Sequence, residues 1–89
     1  MEKIKVTVAI ITKDEERHIA RCLESVAWAD DIVVVDGFST DKTVDIAKSL
    51  GARVIEHKFS GSCADERNVG NENARYDWVL HIDADDIVT

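Results

Sequence analysis

The chain has 89 residues, 45% of them hydrophobic and 33% charged, with 18 acidic against 11 basic side chains and a formal net charge of −7. That is one small domain of ordinary globular composition, and its acidic balance excludes nucleic-acid phosphate and an anionic membrane surface as electrostatic partners of this segment. The apolar runs are only a few residues long, so no transmembrane helix is expected, and the N-terminus lacks the apolar stretch and cleavage site of a secretory signal. A chain of this size buries only about 60–65% of its unfolded surface, which is marginal without a partner or more chain. Cys22 and Cys63, with no CxxC spacing, read as reduced thiols of a cytoplasmic protein.

In chain order, Lys3 to Ile11 ("KIKVTVAII") reads as a strand that begins with alternation and ends as a β-branched run. After a polar turn, Ile19, Cys22, Leu23 and Val26 recur at i, i+3, i+4 and i+7 and predict an amphipathic helix. Glu15 and Glu16 are expected in its first turn, where the helix dipole favours anions. Ile32 to Val35 is a wholly apolar strand of the kind covered on both faces. Asp36 to Thr40 ("DGFST") is a loop in which Gly37 supplies backbone freedom and Ser39 or Thr40 caps the next helix. That second helix is predicted from about Asp41 to Leu50, with Val44, Ala47 and Leu50 inward and Gly51 as its stop. Ala52 to Glu56 is a third strand. Cys63 to about Ala74 is a third helix, weak by propensity because of Asn68, Gly70, Asn71 and Asn73. Trp78 to Ile82 is a fourth strand, and Trp28 and Trp78 are expected in the core.

Four strands alternating with three helices predict right-handed βαβ units and an open, mostly parallel, doubly wound (Rossmann-like) α/β sheet. Such sheets bind ligands beyond the carboxyl ends of their strands, near the switch in strand order. The informative residues are therefore Thr12, Lys13 and Asp14, then Asp36 to Thr40, then His57 and Lys58, then Asp83, Asp85 and Asp86.

In an extended segment Asp83 and Asp85 point to one side, about 6.6–7 Å apart. Carboxylates so placed repel each other unless a cation lies between them, and hard oxygen ligands beside an open cleft suit Mg²⁺ or Mn²⁺. The bland alternative is a polar loop with one Asp capping a helix. Asp36 is placed to accept hydrogen bonds from a ribose or base, or else merely forms a turn before Gly37. "ITKDEERHI" holds no glycine, which excludes a dinucleotide-binding turn after the first strand. There is no GxxxxGK[ST] phosphate loop either. The Arg67 fork suits phosphate or a planar base, or is a solvated helix charge. His18, His57 and His81 have no metal-ligand spacing and read as surface or core, and no serine stands in a nucleophile context.

The stretches "VAIITKDEERHIARCLESV", "ADDIVVVDGFSTDKTVDIAKSLGARV" and "ERNVGNENARYDWVLHIDADD" together resemble the start of a family 2 glycosyltransferase with the GT-A fold, nearest to sugar transferases related to the lipopolysaccharide-core glucosyltransferases. The resemblance spans nearly the whole chain and implies a nucleotide-sugar-binding part, residues 1–89, that ends after the DxD acids. It implies that Thr12 and Asp14 flank the nucleotide, Asp36 accepts from the base, Arg67 lies near base and diphosphate, and Asn68 holds the loop. It further implies that Asp85 binds the metal most directly, with Asp83 nearer the ribose. The cofactor would be Mg²⁺ or Mn²⁺ and the donor a nucleoside-diphosphate sugar, a UDP-sugar before others, used by a cytoplasmic enzyme of envelope polysaccharide synthesis. Two substitutions depart from the family pattern: "VDGFSTD" stands for "VDSGSTD", and Asp14 stands where Asn is commoner. The general base is expected beyond Thr89, so these residues alone are expected to transfer no sugar. Other readings are a nucleotidyltransferase-like Mg²⁺ domain and a non-catalytic homo-oligomer paired through an exposed sheet edge.

Overall fold

The β-branched runs and amphipathic stripes of the chain assemble as alternating strands and helices. A computed structural model describes residues 4–58 and 63–83, the side chains of 63–66 excepted. Its elements are β1 (Val6–Thr12), α1 (Ile19–Ser25), β2 (Asp31–Asp36), α2 (Thr43–Ser49), β3 (Arg53–Glu56), α3 (Cys63–Asn73) and β4 (Trp78–Asp83). All four strands are parallel, in the order β3-β2-β1-β4. The order runs one way from β1 to β3 and then jumps to the other side for β4, so the switch point lies between β1 and β4. Thr12 is paired with Asp36, and Ile11 with Asp83, which brings three strand ends level.

One face of the sheet carries the apolar core. Val8 and Ile10 of β1 and Val34 of β2 pack against Ile19, Cys22, Leu23 and Val26 and against Ala47, with Ile82 of β4 at the margin. The helical stripe predicted for α1 is thus buried in full. The other face, under α3, is more polar. There Asp31, almost fully buried, accepts from Arg53 Nε (3.0 Å) and Nη2 (2.7 Å), Thr7 Oγ1 (3.0 Å) and the Arg75 amide (3.1 Å). Arg53 Nη2 also donates to the Asn73 carbonyl (2.7 Å), tying the end of α3 to the amino ends of three strands. Burial disfavours the Asp31 charge, but its bonds to Arg53, to the Arg75 amide and to Thr7 outweigh that and hold the carboxyl below the usual range.

Several expectations are corrected. β1 begins at Val6 and includes Thr12; Lys3 lies outside the described residues. Glu15 and Glu16 precede α1 rather than opening it, because their partners lie at the start of α2: the Glu15 amide donates to Thr43 Oγ1 (2.8 Å), and Glu16 Oε1 accepts from the Lys42 amide (3.1 Å). α2 starts at Thr43, and neither Ser39 nor Thr40 caps it. Asp41 accepts from the Thr43 amide and hydroxyl instead, since the two earlier residues are engaged with Asp36 and Asp14. Thr43 and Ala47 point inward on α2, whereas Leu50 lies just past the helix and is exposed. Gly51 does stop it, at φ +90.

The tryptophans are not core. Trp28 is 52% exposed beyond the end of α1, its indole donating to the Ser25 carbonyl (3.1 Å), and Trp78 is 65% exposed because β4 forms an edge of the described sheet. Nor does Gly37 carry the unusual backbone of its loop. The left-handed residues are Phe38 (φ 57) and Asp14 (φ 52). Among the described residues no helix is long and apolar enough to cross a membrane.

Candidate functional site

Two groups of polar side chains form at the carboxyl ends of the strands. The first joins the β1–α1 and β2–α2 loops. Asp36 is fully buried: its Oδ1 accepts from Thr12 Oγ1 (2.5 Å) and Ser39 Oγ (2.6 Å), and its Oδ2 from the Ser39 amide (2.8 Å). Asp14 Oδ1 accepts from the Thr40 amide (2.7 Å) and hydroxyl (3.3 Å), while Ser39 Oγ returns an acceptor to the Asp14 amide (2.8 Å). Lys13 Nζ donates to the Phe38 carbonyl (2.9 Å). These bonds fix one loop on the other and hold Phe38 in a conformation that non-glycine residues resist. A carboxylate offers about four lone-pair sites. Among the described residues three are taken in Asp36, which leaves one on Oδ2.

The second group lines a pocket of about 140 Å³ at the switch point, formed by Ile11, Arg67, His81, Ile82 and Asp83. Ile11 and Asp83 are register partners on β1 and β4. Arg67 reaches the pocket from the early part of α3. A guanidinium and an exposed carboxylate on one open concavity can take an anion and a cation side by side, as a metal–diphosphate pair requires. His81 shares this wall. Its Nε2 lies 3.0 Å from Asn71 Oδ1, so with the amide so oriented that nitrogen is protonated. The His81 Nδ1 is covered and makes no hydrogen bond among the described residues. Burial, and then the Arg67 charge, lower the pKa of this imidazole and so favour its neutral form.

Of the residues singled out from sequence, Arg67 and Asp83 meet in one pocket. Thr12, Asp14 and Asp36 gather in the neighbouring loop pair, where Thr12 and Asp36 are covered and Asp14 is exposed. Arg67, Asn68 and Asp83 are exposed. Asp85 and Asp86 lie outside the described residues, and among the described residues no three His, Cys, Asp or Glu groups converge as a metal site. Asp83 fits the smaller share of such a site, since Mg²⁺ commonly takes one or two carboxylates and completes its shell with waters and substrate phosphates. Sequence reasoning placed Ser39 at a strand end but read it as a helix cap, and it missed His81 and Asn71 as site residues. A serine three residues after Asp36 was a detectable signal for the first; the others depend on how α3 lies over β4. Cys22 is a buried thiol whose sulfur lies 4.0 Å from the Asp83 carbonyl, and the Cys63 side chain is outside the described residues.

Known proteins are similar to this chain in sequence and in fold. An uncharacterized glycosyltransferase of Rickettsia typhi is 46% identical over 83 residues, which are 92% of this chain and 28% of that protein. The glycosyltransferase SunS of Bacillus subtilis is 37% identical over 85 residues, 92% of this chain and 20% of SunS. The chain therefore spans less than a third of the length of either relative. In structure it is similar to the UDP complex of glucosyl-3-phosphoglycerate synthase from Mycobacterium tuberculosis, with a TM-score of 0.81 at 24% identity over 94% of this chain and 35% of that one. Mannosyl-3-phosphoglycerate synthase from Rubrobacter xylanophilus is equally similar, with a TM-score of 0.81 at 24% identity over 92% of this chain and 31% of that one. These likenesses establish the GT-A type of sheet. The model of glycosyl transferase family 2 matches residues 7–89, so the landmarks from β1 to the end of β4 fall within one family domain, and the chain belongs to glycosyl transferase family 2.

Proposed function

We propose that residues 1–89 are the donor-nucleotide part of an inverting glycosyltransferase, binding a nucleoside-diphosphate sugar, a UDP-sugar before others, together with Mg²⁺ or Mn²⁺. The observation that carries this reading is the pocket at the switch point, where Arg67 and Asp83 stand together in a chain of this family. Support comes also from the M. tuberculosis enzyme of the same fold, solved with Mn²⁺, UDP-glucose and phosphoglyceric acid.

In this reading Arg67 donates to diphosphate oxygens, and Asp83 and Asp85 hold the cation. A divalent cation bound there supplies positive charge to the departing nucleoside diphosphate. Asp14 and Thr12 border the nucleotide. Asp36 offers a base N–H the acceptor site that its protein partners leave on Oδ2, which requires the Gly37–Ser39 turn to give way. An acceptor hydroxyl attacks the anomeric carbon opposite the leaving diphosphate. None of the strand-end residues with a role in this reading is the base that takes its proton, and the 89-residue chain by itself binds nucleotide and transfers no sugar. The Cys22 thiol and a nucleotide-sugar donor suit the cytoplasm. The edge strand β4, with Trp78 and Leu80 exposed, supports self-association of the isolated chain.

The test is titration of UDP with and without Mg²⁺, followed by NMR. Shifts are expected at Thr12–Asp14, Arg67 and Asp83–Asp86, weakened in Asp85→Ala when Mg²⁺ is present. Absence of binding at millimolar UDP, shifts confined to other surfaces, or sugar transfer by the purified chain would each refute the reading.

A further inference from the structure

We propose that Gly70, Asn71 and His81 form a seat that holds Arg67 over the pocket, making Asn71 and His81 positioning residues for the Arg67 contact with the donor diphosphate. The proposal rests on the donor-site reading for the identity of that ligand.

The geometry is one of matched steps. α3 leads from the carboxyl end of β3 to the amino end of β4, so it runs against the parallel strands and its early residues overlie the strand ends. Residues i and i+4 share a helix face, which aligns Arg67 with Asn71. Four helical residues advance about 6 Å, and two strand residues about 6.6 Å. The Asn71–His81 contact and the placing of Arg67 and Asp83 on one pocket are therefore the same step taken along two elements. The His81–Asn71 bond at 3.0 Å fixes the lower rung, and with it the upper one.

Gly70 sets the height of the helix. A Cβ there would lie 3.0 Å from Ala9 Cβ and 3.5 Å from His81 Cε1. Ala9 and His81 are register partners on β1 and β4, and β1 is interior to the sheet, so the helix would have to rise. Glycine and asparagine are poor helix formers. Their presence at successive positions of α3 is explained by what each does on this face.

The experiment is a double-mutant cycle on the 89-residue chain, with UDP in Mg²⁺ as the probe. Asn71→Ala is expected to weaken UDP about fivefold, the effect of one net hydrogen bond, and to change nothing further in the Arg67→Ala background. His81→Gln, which keeps a donor in the place of Nε2, is expected to bind like the wild type, whereas His81→Leu loses about as much as Asn71→Ala. Equal losses from Asn71→Ala in both backgrounds, or wild-type affinity in Asn71→Ala, would overturn the seat. If UDP fails to bind, or Arg67→Ala binds it normally, the donor-site reading falls instead. The seat is then read without nucleotide, from nuclear Overhauser contacts between the Arg67 side chain and the Ile11 and Ile82 methyls. These are expected in the wild type and lost in Asn71→Ala, and their persistence in that variant overturns the proposal.

Discussion

Phe38 is where local backbone preference and tertiary bonding oppose each other most directly, and the opposition can be measured. At φ 57 its backbone is left-handed, a conformation that costs a residue with a Cβ about 1–2 kcal/mol. The turn is held there by Lys13 Nζ on the Phe38 carbonyl and by Ser39 on Asp36, not by the ring, which is 52% exposed. Replacing Phe38 by Gly alone mixes three effects: relief of the backbone, loss of a half-buried ring, and the greater freedom of Gly in the unfolded chain. Comparing Phe38→Gly with Phe38→Ala removes the ring from both. The relief of about 1–2 kcal/mol, less the entropic cost of about 0.5–1 kcal/mol for Gly, leaves Gly ahead of Ala by up to about 1.5 kcal/mol, with a central value of about 0.75 kcal/mol. In an ordinary strand or helix interior the sign is reversed. Urea unfolding of both variants, with equal slopes, reads the difference as a shift of midpoint. An Ala variant as stable as the Gly variant, or more so, would refute a left-handed Phe38.

Three further outcomes are expected. Arg53→Ala strands the buried Asp31 carboxylate and should cost about 3 kcal/mol at pH 7. Because the folded pKa of Asp31 is lowered, the stability it confers is present above its unfolded pKa of about 3.9 and is lost as pH falls through the lower folded value. The gap between wild type and Arg53→Ala should therefore narrow in urea melts below about pH 4, and a gap unchanged in acid would contradict the ion pair. Thr12→Val removes one donor from fully buried Asp36 and should cost about 1–2 kcal/mol; a neutral effect in thermal unfolding would show that the Thr12–Asp36 bond contributes nothing. Sedimentation should show concentration-dependent association of the chain, abolished by Trp78→Lys on the β4 edge, and association unaffected by that change would place the contact elsewhere.

Legibility in the sequence tracked the range of the interactions. The α1 stripe and the β2 run were readable because period and apolar content are local consequences of burial on a sheet. The capping of α2 was misread because Ser39 and Thr40, good caps by type, are drawn to Asp36 and Asp14 by the packing of two loops. Trp28 and Trp78 were misread because residue type says nothing of whether an element is central or at an edge. Asp83 is a candidate by charge type and strand-end position, and Arg67 by the fork of its guanidinium on the third helix. Thr12 and Asp36 were readable as strand-end residues, yet their side chains turn to each other and are covered.

By itself the sequence determined the alternation of elements, the parallel class of the sheet and the family, since these depend on periodicity, turn residues and the spacing of landmarks. Only the tertiary structure decided the order β3-β2-β1-β4, the burial of Asp36, the strain at Phe38 and the meeting of Arg67 with Asp83. Thr12 and Asp36 are 24 positions apart in the chain, and Arg67 and Asp83 come from two separate elements, α3 and β4. No local propensity carries such information; close packing and hydrogen bonding across the sheet supply it. The run "RNVGN", a poor helix by composition, is helical because Gly70 fits against Ala9 and Asn71 bonds His81.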